Sequence, residues 1–577
     1  MSSADRPQKP AFHSFVWRLW TVSAVLLLAG GALVTRAIHL QVFNTEFLNK
    51  QAAARHLRVA TLSATRGVIK DRNGEPLAVS TPVDSVWVNP PQLLEDQDRI
   101  RSLARALKLD TGELTARLSR KVSRGFYYVK RHMNPSEAAA IDALQLPGVH
   151  LLREYRRYYP AGEVTGHLLG FTNIDDKGQE GLELAFDNWL HGVPGKKKVL
   201  RDRLGRVIED VESIVPPSPG RDLVTSIDLR IQYLAYRELK AAVQKYQAAS
   251  GSVIVLDVAT GEVLADVNQP AFNPNDRSQI RPAMFRNRAI TDILEPGSTF
   301  KPLIVAAALD SGRFTARSRI DTSPGFVQVG AKTIEDKQNY GVVDLATLLA
   351  KSSNVGAVQV AMKLDKEMLW STLSRFGAGH LTSSGYPGES AGMLPPFQGW
   401  RPIGQATMAY GYGISMTPLQ LAQAYAVLAG DGLHRPISLV RVDKPPIARR
   451  VVSPETAHSV VGMLEQVVTA EGTGIKARVT GYRVAGKTGT ARKVAAGGYS
   501  QDRHTAVFSG IAPATAPRLV IVVVVDEPKG AAFYGGDVSA PVFAAVATGA
   551  LRILAVPPDG ADAAVSSQRT QLAASAP

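Results

Sequence analysis

The sequence predicts an α+β protein: one N-terminal membrane helix, a non-catalytic domain, then a domain whose sheet joins distant parts of the chain. Three observations carry this. Residues 19–35 hold no charge, a proline-rich connector stands at Val215-Pro-Pro-Ser-Pro-Gly220, and strand patterns beyond it enclose helical ones.

The uncharged stretch LWTVSAVLLLAGGALVT is bracketed by Arg18 and Arg36, with Trp17 and Trp20 at its margin. A span needs about 20 residues, and tryptophan favours the interface. Arg6, Lys9 and Arg18 outweigh Asp5 on the short side. The positive-inside rule therefore puts residues 1–18 in the cytoplasm, makes 19–36 the anchor and places the remainder outside. A cleaved signal peptide ending near Ala29-Gly30-Gly31 is the competing reading. Apolar residues continuing through Leu33 and Val34 favour an uncleaved anchor.

Residues 37–59 connect, with a pattern that can continue as helix. The region 60–222 mixes short strands and loops with a helical segment at 134–146, and carries no catalytic cluster. Its basic run, Lys196, Lys197, Lys198, Arg201, Arg203 and Arg206, is relieved within only by Asp202; Glu209, Asp210 and Glu212 follow. A solvated face is the plainer reading of such a run. Past the connector, residues 223–555 read as the second domain. Residues 228–246 are helical by period, with Ile231, Leu234, Leu239 and Val243 near one face. Residues 251–267 read as a hairpin turning at Thr260-Gly261. Residues 519–525, mostly Val and Ile, read as a buried strand. Residues 556–577 lack periodicity and are expected to be a disordered tail.

At 577 residues, 45% hydrophobic and 20% charged, the chain has ample material for more than one core. The net charge of +15 favours an anionic partner. A location outside the cytoplasm argues against nucleic acid. Cysteine is absent, which excludes disulfides, thiolate catalysis and cysteine-held metals. The 11 histidines are scattered without a His-Glu-x-x-His pattern, against a zinc hydrolase.

The chemistry concentrates in three short patterns. Glu295-Pro-Gly-Ser-Thr-Phe-Lys301 opens an apolar helix running to about Leu309, with Phe300, Leu303, Ile304 and Ala307 as its buried stripe. Ser298 and Lys301, three apart, share a different face. A serine hydroxyl needs a neighbouring base, and an amine serves only if its pKa is lowered. Ser352-Ser353-Asn354 and Lys487-Thr488-Gly489-Thr490 follow. Singly, the first can be a helix cap and the second a turn. In this order, after the one Ser-x-x-Lys of the chain, they form a joint signal. Two rivals fail on context. The phosphate-loop match at 481–488 needs a following helix, which Gly489 interrupts. The nucleophile-elbow match at 388–392 lacks a preceding strand and reads as a surface loop.

These patterns resemble the Ser-x-x-Lys, Ser-x-Asn and Lys-Thr-Gly triple of β-lactamases and penicillin-binding proteins. Arg66-Gly-Val-Ile-Lys-Asp-Arg-Asn-Gly-Glu-Pro-Leu-Ala78 resembles the opening pedestal motif of class B penicillin-binding proteins. Arg157-Tyr-Tyr-Pro160, Gly166-His-Leu-Leu-Gly-Phe171 and Gly181-Leu-Glu183 resemble further pedestal motifs, and Gly411-Tyr-Gly413 and Tyr534-Gly-Gly536 catalytic ones. The resemblance runs from the anchor to about residue 555 and is strongest to the division-specific transpeptidases of Gram-negative bacteria. It implies a penicillin-binding transpeptidase domain, an antiparallel sheet flanked by helices, on an extended pedestal (dimerisation-type) domain at 60–222. Ser298 would be the acylated nucleophile and Lys301 its base. Ser352, Asn354 and Lys487 would complete the network, backbone amides of Ser298 and Thr490 the oxyanion hole. Thr488, Gly489 and Thr490 would hold substrate, the D-Ala-D-Ala end of a stem pentapeptide. The resemblance further implies no cofactor, no metal, β-lactams as inhibitors, a lipid-linked glycan polymerase and other division proteins as partners, and the inner membrane as location with a periplasmic catalytic domain. A β-lactamase would invoke a carboxylate such as Glu389 and needs neither anchor nor pedestal. A D,D-carboxypeptidase and a β-lactam-binding sensor on the same serine remain open.

Overall fold

The computed structural model describes residues 13–43, 57–201, 207–278, 281–495 and 498–560. Residues 1–12 of the expected cytoplasmic segment, 44–56 of the connector, Arg203 and Arg206 of the basic run, and 561–577 of the tail lie outside these. The chain divides into two compact units. One comprises Met1–Ala64, Pro82–Glu154 and Val193–Ser218; the other comprises Thr65–Thr81, Tyr155–Gly192 and Pro219–Pro577.

In the first unit, the uncharged stretch lies in a 26-residue α-helix, His13–Ile38, continued by a π-helical turn at His39–Phe43. Its leucines are exposed, and it is the one helix among the described residues long and apolar enough to cross a membrane. Helices Gln97–Leu107 and Thr111–Ser119 start at Asp96 and Asp110, whose carboxylates accept from Asp98 N and Glu113 N. With Pro135–Asp142, inside the expected 134–146 segment, they supply Ile100, Leu103, Leu107, Leu114, Leu118 and Ile141 to a small core under the strand residues Val86 and Val88.

In the second unit, a five-stranded antiparallel sheet runs in the order Val263–Gln269, Ser250–Asp257, Leu519–Asp526, Gly498–Ala512, Ala485–Ala495. The predicted hairpin is two of these strands, and the predicted 519–525 strand sits at the centre. Both sheet faces are covered, which is why the strands read as unbroken Val and Ile rather than as an alternation. Val253, Val255, Ile521 and Val523 pack with Leu239 of helix Leu229–Lys245 and Phe543 of helix Gly535–Ile553. Ile254, Leu256, Val520 and Val522 pack on the other side with Phe300, Leu303 and Tyr425. Asp228 caps the Leu229–Lys245 helix through Arg230 N.

Three pedestal-type motifs meet in this unit. Glu183 is fully buried between Arg66 and Arg157, each guanidinium Nε at 2.6 Å from one carboxylate oxygen. The same burial raises the need for both partners, because an unpaired charge there is costly. Residues 556–560, read from composition as the start of the tail, are instead tied down. Tyr482 Oη donates to Val556 O at 2.6 Å, and Asp559 accepts from Arg483 N at 2.8 Å.

Candidate active site

Ser298 lies in a 3₁₀ turn, Gly297–Phe300, and the α-helix proper begins at Lys301 and ends at Asp310. The expected apolar stripe is not a stripe. Residues from Lys301 through Ala308 are all buried, so the helix is enclosed on every side. Alanine at 306, 307 and 308 lets the neighbouring elements approach, and Lys301 is carried into that interior with Ser298 left half-buried at its rim.

Ser352 sits between two helices. It has φ of 59° and closes Leu345–Lys351, while Ser353 caps Asn354–Met362 by accepting from Gly356 N. The N-cap is therefore Ser353, while Ser352 and Asn354, the residues of the helix-cap alternative, face Lys301 instead. Asp336 pins the same turn, accepting from Ser353 Oγ and Asn354 N, both at 2.5 Å. Lys301 Nζ faces Ser352 O at 2.6 Å, Asn354 Oδ1 at 2.8 Å and Ser352 Oγ at 3.2 Å. Lys487 Nζ donates to Ser352 Oγ at 3.0 Å and to Thr488 O at 3.2 Å. Lys301 and Lys487 thus meet on the Ser352 hydroxyl, with Asn354 on Lys301. Ser298 Oγ has no protein hydrogen bond among the described residues and faces the adjoining cavity.

Both lysine side chains are fully buried. Burial, then the Lys487 ammonium, hold Lys301 well below the ordinary lysine value, with Asp336 opposing. Burial, then Lys337, bring Lys487 down to about 7. An amine so depressed can stay neutral and use its lone pair on a hydroxyl proton.

Lys487-Thr488-Gly489-Thr490 lies in strand Ala485–Ala495, the edge of the sheet, where alternate backbone groups have no strand partner. This excludes the phosphate-loop reading, which required a helix. Gly489 lets the strand press on the Gly297–Phe300 turn, since a Cβ there would stand 2.8 Å from Thr299 Cγ2. Gly411, with φ of 82°, does the same from the other side; a Cβ would stand 2.1 Å from Gly297 O. Gly535 N donates to Thr490 Oγ1 at 3.0 Å, and Thr488 shares a hydrogen bond of 2.8 Å with Thr473. Ser298, Asn354, Thr490, Tyr410, Tyr412 and Tyr499 are among the residues lining a cavity of about 470 Å³. Glu389 is occupied structurally, accepting from Thr382 N at 2.6 Å and Ser384 Oγ at 3.0 Å, in the loop predicted at 388–392.

Sequence reading did not single out Asp336, Lys337, Glu295 as a ligand of its neighbours, or Tyr499. Glu295 Oε1 accepts from Gly413 N at 2.8 Å and Tyr499 Oη at 2.9 Å. No local pattern marks Asp336, Lys337 or Tyr499, which arrive from a loop and a distant hairpin, whereas Glu295 stands at the head of the Glu295-to-Lys301 motif.

A half-buried serine one turn from a desolvated lysine, with a second lysine on a shared hydroxyl and an edge strand alongside, defines a serine acyl-transfer site of the Ser-x-x-Lys kind. Residues 251–548 match the penicillin binding protein transpeptidase domain, and residues 61–225 match the penicillin-binding protein dimerisation domain. The chain belongs to the class B penicillin-binding proteins. It is 43% identical over 569 residues to the peptidoglycan D,D-transpeptidase FtsI of Escherichia coli K12, covering 97% of this chain and 96% of that one. The apo transpeptidase domain of Burkholderia pseudomallei penicillin-binding protein 3 superposes with TM-score 0.54 at 43% identity, covering 58% of this chain and 98% of that one. A peptidoglycan synthetase from Bifidobacterium adolescentis superposes with TM-score 0.70 at 28% identity, covering 87% and 98%.

Proposed function

We propose that Ser298 is the nucleophile through which this peptidoglycan D,D-transpeptidase cross-links stem peptides and through which β-lactams inhibit it. The observation that carries the assignment is the convergence of Lys301 and Lys487 on Ser352 Oγ, one helical turn from Ser298.

Ser298 Oγ attacks the carbonyl carbon between the two terminal D-alanines, and its proton passes to neutral Lys301. The oxyanion is held by the backbone amides of Ser298 and Thr490, each such donor being worth about 10²–10³ in rate. On collapse the C–N bond breaks, and the departing D-alanine amine takes a proton delivered from Lys301 through Ser352 and Lys487. The acceptor amine then attacks the ester, gives its proton to Lys301, and Ser298 leaves as a restored hydroxyl. Asn354 orients Lys301, while Thr488 and Gly489 line the place of the substrate carboxylate beside protonated Lys487.

The reading extends to the rest of the chain. Residues 60–222 serve as the pedestal and 223–555 as the transpeptidase domain. The apolar helix is a single inner-membrane anchor with the N-terminus cytoplasmic and the catalytic domain periplasmic. A lipid-linked glycan polymerase and other division proteins are the membrane partners, and the setting is septal wall synthesis. Mass analysis of products formed on pentapeptide-bearing glycan tests transfer itself. Dimeric stems with free D-alanine are expected; only trimmed tetrapeptides would mean that water is the acceptor and the enzyme a carboxypeptidase.

A further inference from the structure

One charge outside the buried lysine pair bears on Lys487. Lys337, in the loop after strand Lys332–Glu335, is the cation whose repulsion adds to burial there. Unlike Lys301 and Lys487, it is exposed. Its neighbour Asp336 makes no ion pair with it, both carboxylate oxygens being engaged by Ser353 Oγ and the Asn354 amide. Among the described residues Lys337 has one partner, a ring: its ammonium lies over Tyr534, 4.4 Å from the centroid. Tyr534 opens the segment that runs beside the edge strand. Gly535 N donates to Thr490 Oγ1 at 3.0 Å, and a Cβ on Gly536 would stand 3.4 Å from Thr488 Cγ2. Asp336 ties the Lys337 loop to Asn354 in turn, and Asn354 and Thr490 both line the cavity that holds Ser298. The contact between Lys337 and Tyr534 therefore joins the element behind Asn354 to the element behind Thr490, beside Lys487-Thr488-Gly489.

An exposed ammonium gains little from a ring face, and its N–H donors remain available to an acceptor. Lys337 and Lys487 repel each other, and an anion placed between them turns both interactions favourable. The terminal carboxylate of the donor, beside Thr488, Gly489 and protonated Lys487, is such an anion; its placement there rests on the transfer reading above. We propose that Lys337 is a specificity-determining residue of this site, a second cation that takes the donor's terminal carboxylate together with Lys487. Lys487 holds the carboxylate from the interior, while Lys337 leaves the Tyr534 ring and holds it from the solvent side.

The test is acylation of the full chain in detergent by a carboxylate-bearing penicillin and by its methyl ester. A pH of about 6 lies below the value near 7 to which Lys487 is brought, so Lys487 stays protonated in wild type and variant alike. Lys337→Met is expected to lower the second-order acylation constant of the acid by about three- to tenfold, through the concentration giving half-maximal rate rather than the limiting rate. The loss for the ester is expected to be smaller by about threefold or more, and Lys337→Arg, which keeps the charge, to recover most of the acid's constant. An equal loss for acid and ester, no loss for the acid, or a Lys337→Arg variant as impaired as Lys337→Met would overturn the proposal. Wild-type protein that reacts equally with acid and ester would instead remove the carboxylate from this site altogether, Lys487 included, and Lys337 with it.

Discussion

Ser352 accepts from Lys487 while facing Lys301, so the charge of one lysine bears directly on the other. Lys301→Ala should cut acylation by about 10²–10⁴-fold or more, since the general base is lost from a group of residues acting as a unit. Stopped-flow acylation by a chromogenic β-lactam measures this, and near-normal rates would remove Lys301 as the base. Lys487 is expected to act protonated, yet burial leaves it near 7 in the free protein. Acylation by a carboxylate-bearing ligand should therefore fall as pH rises above about 7, whereas a neutral ester analogue should not show that limb. Equal pH profiles for the two ligands would refute the carboxylate role. The stability sign runs the other way. Lys487 drops from 10.5 to about 7 on folding, so the unfolded chain binds more protons between those values. Its contribution should rise with pH across that window, seen as a shrinking stability gap between wild type and Lys487→Met. The lysines and Ser352 were legible because short motifs keep their own spacing. Asp336 was not, for it reaches Ser353 from an unpatterned loop.

Elements position the site by close approach of backbone to backbone. Gly411→Ala places a Cβ against Gly297 O at a positive φ, so the nucleophile turn has to shift. Acylation should fall by about 10²-fold, the cost of a displacement near 1 Å, while circular dichroism stays native. An unchanged rate would show that the turn tolerates the shift. The Glu183 cluster makes a stability prediction. Glu183→Ala leaves Arg66 and Arg157 buried without their shared carboxylate and should cost about 3–5 kcal/mol in urea unfolding of the soluble part. A loss under 1 kcal/mol would mean that water repairs the site. The helix at 229–245 and the central strand could be read locally, because period and β-branched runs are short-range signals. The sheet order could not, since Ser250–Asp257 pairs with Leu519–Asp526 across most of the domain. The 3₁₀ form of the Gly297–Phe300 turn, against which Gly411 and Gly489 pack, was also hidden.

For the molecule as a whole, one helix among the described residues is long and apolar enough to cross a membrane, and the proposed topology, with the catalytic domain outside the cytoplasm, rests on it. Protease added to spheroplasts should digest the chain beyond about residue 40, the end of the helix near Gln41, and spare the N-terminus. A mature chain beginning after Ala29 would show a cleaved signal instead. The central claim, acyl transfer through Ser298, is tested most directly by peptide mapping after reaction with a labelled penicillin. One stable adduct is predicted, on the peptide containing Ser298 and absent from Ser298→Ala. Label on any other residue, or label persisting in Ser298→Ala, would contradict it.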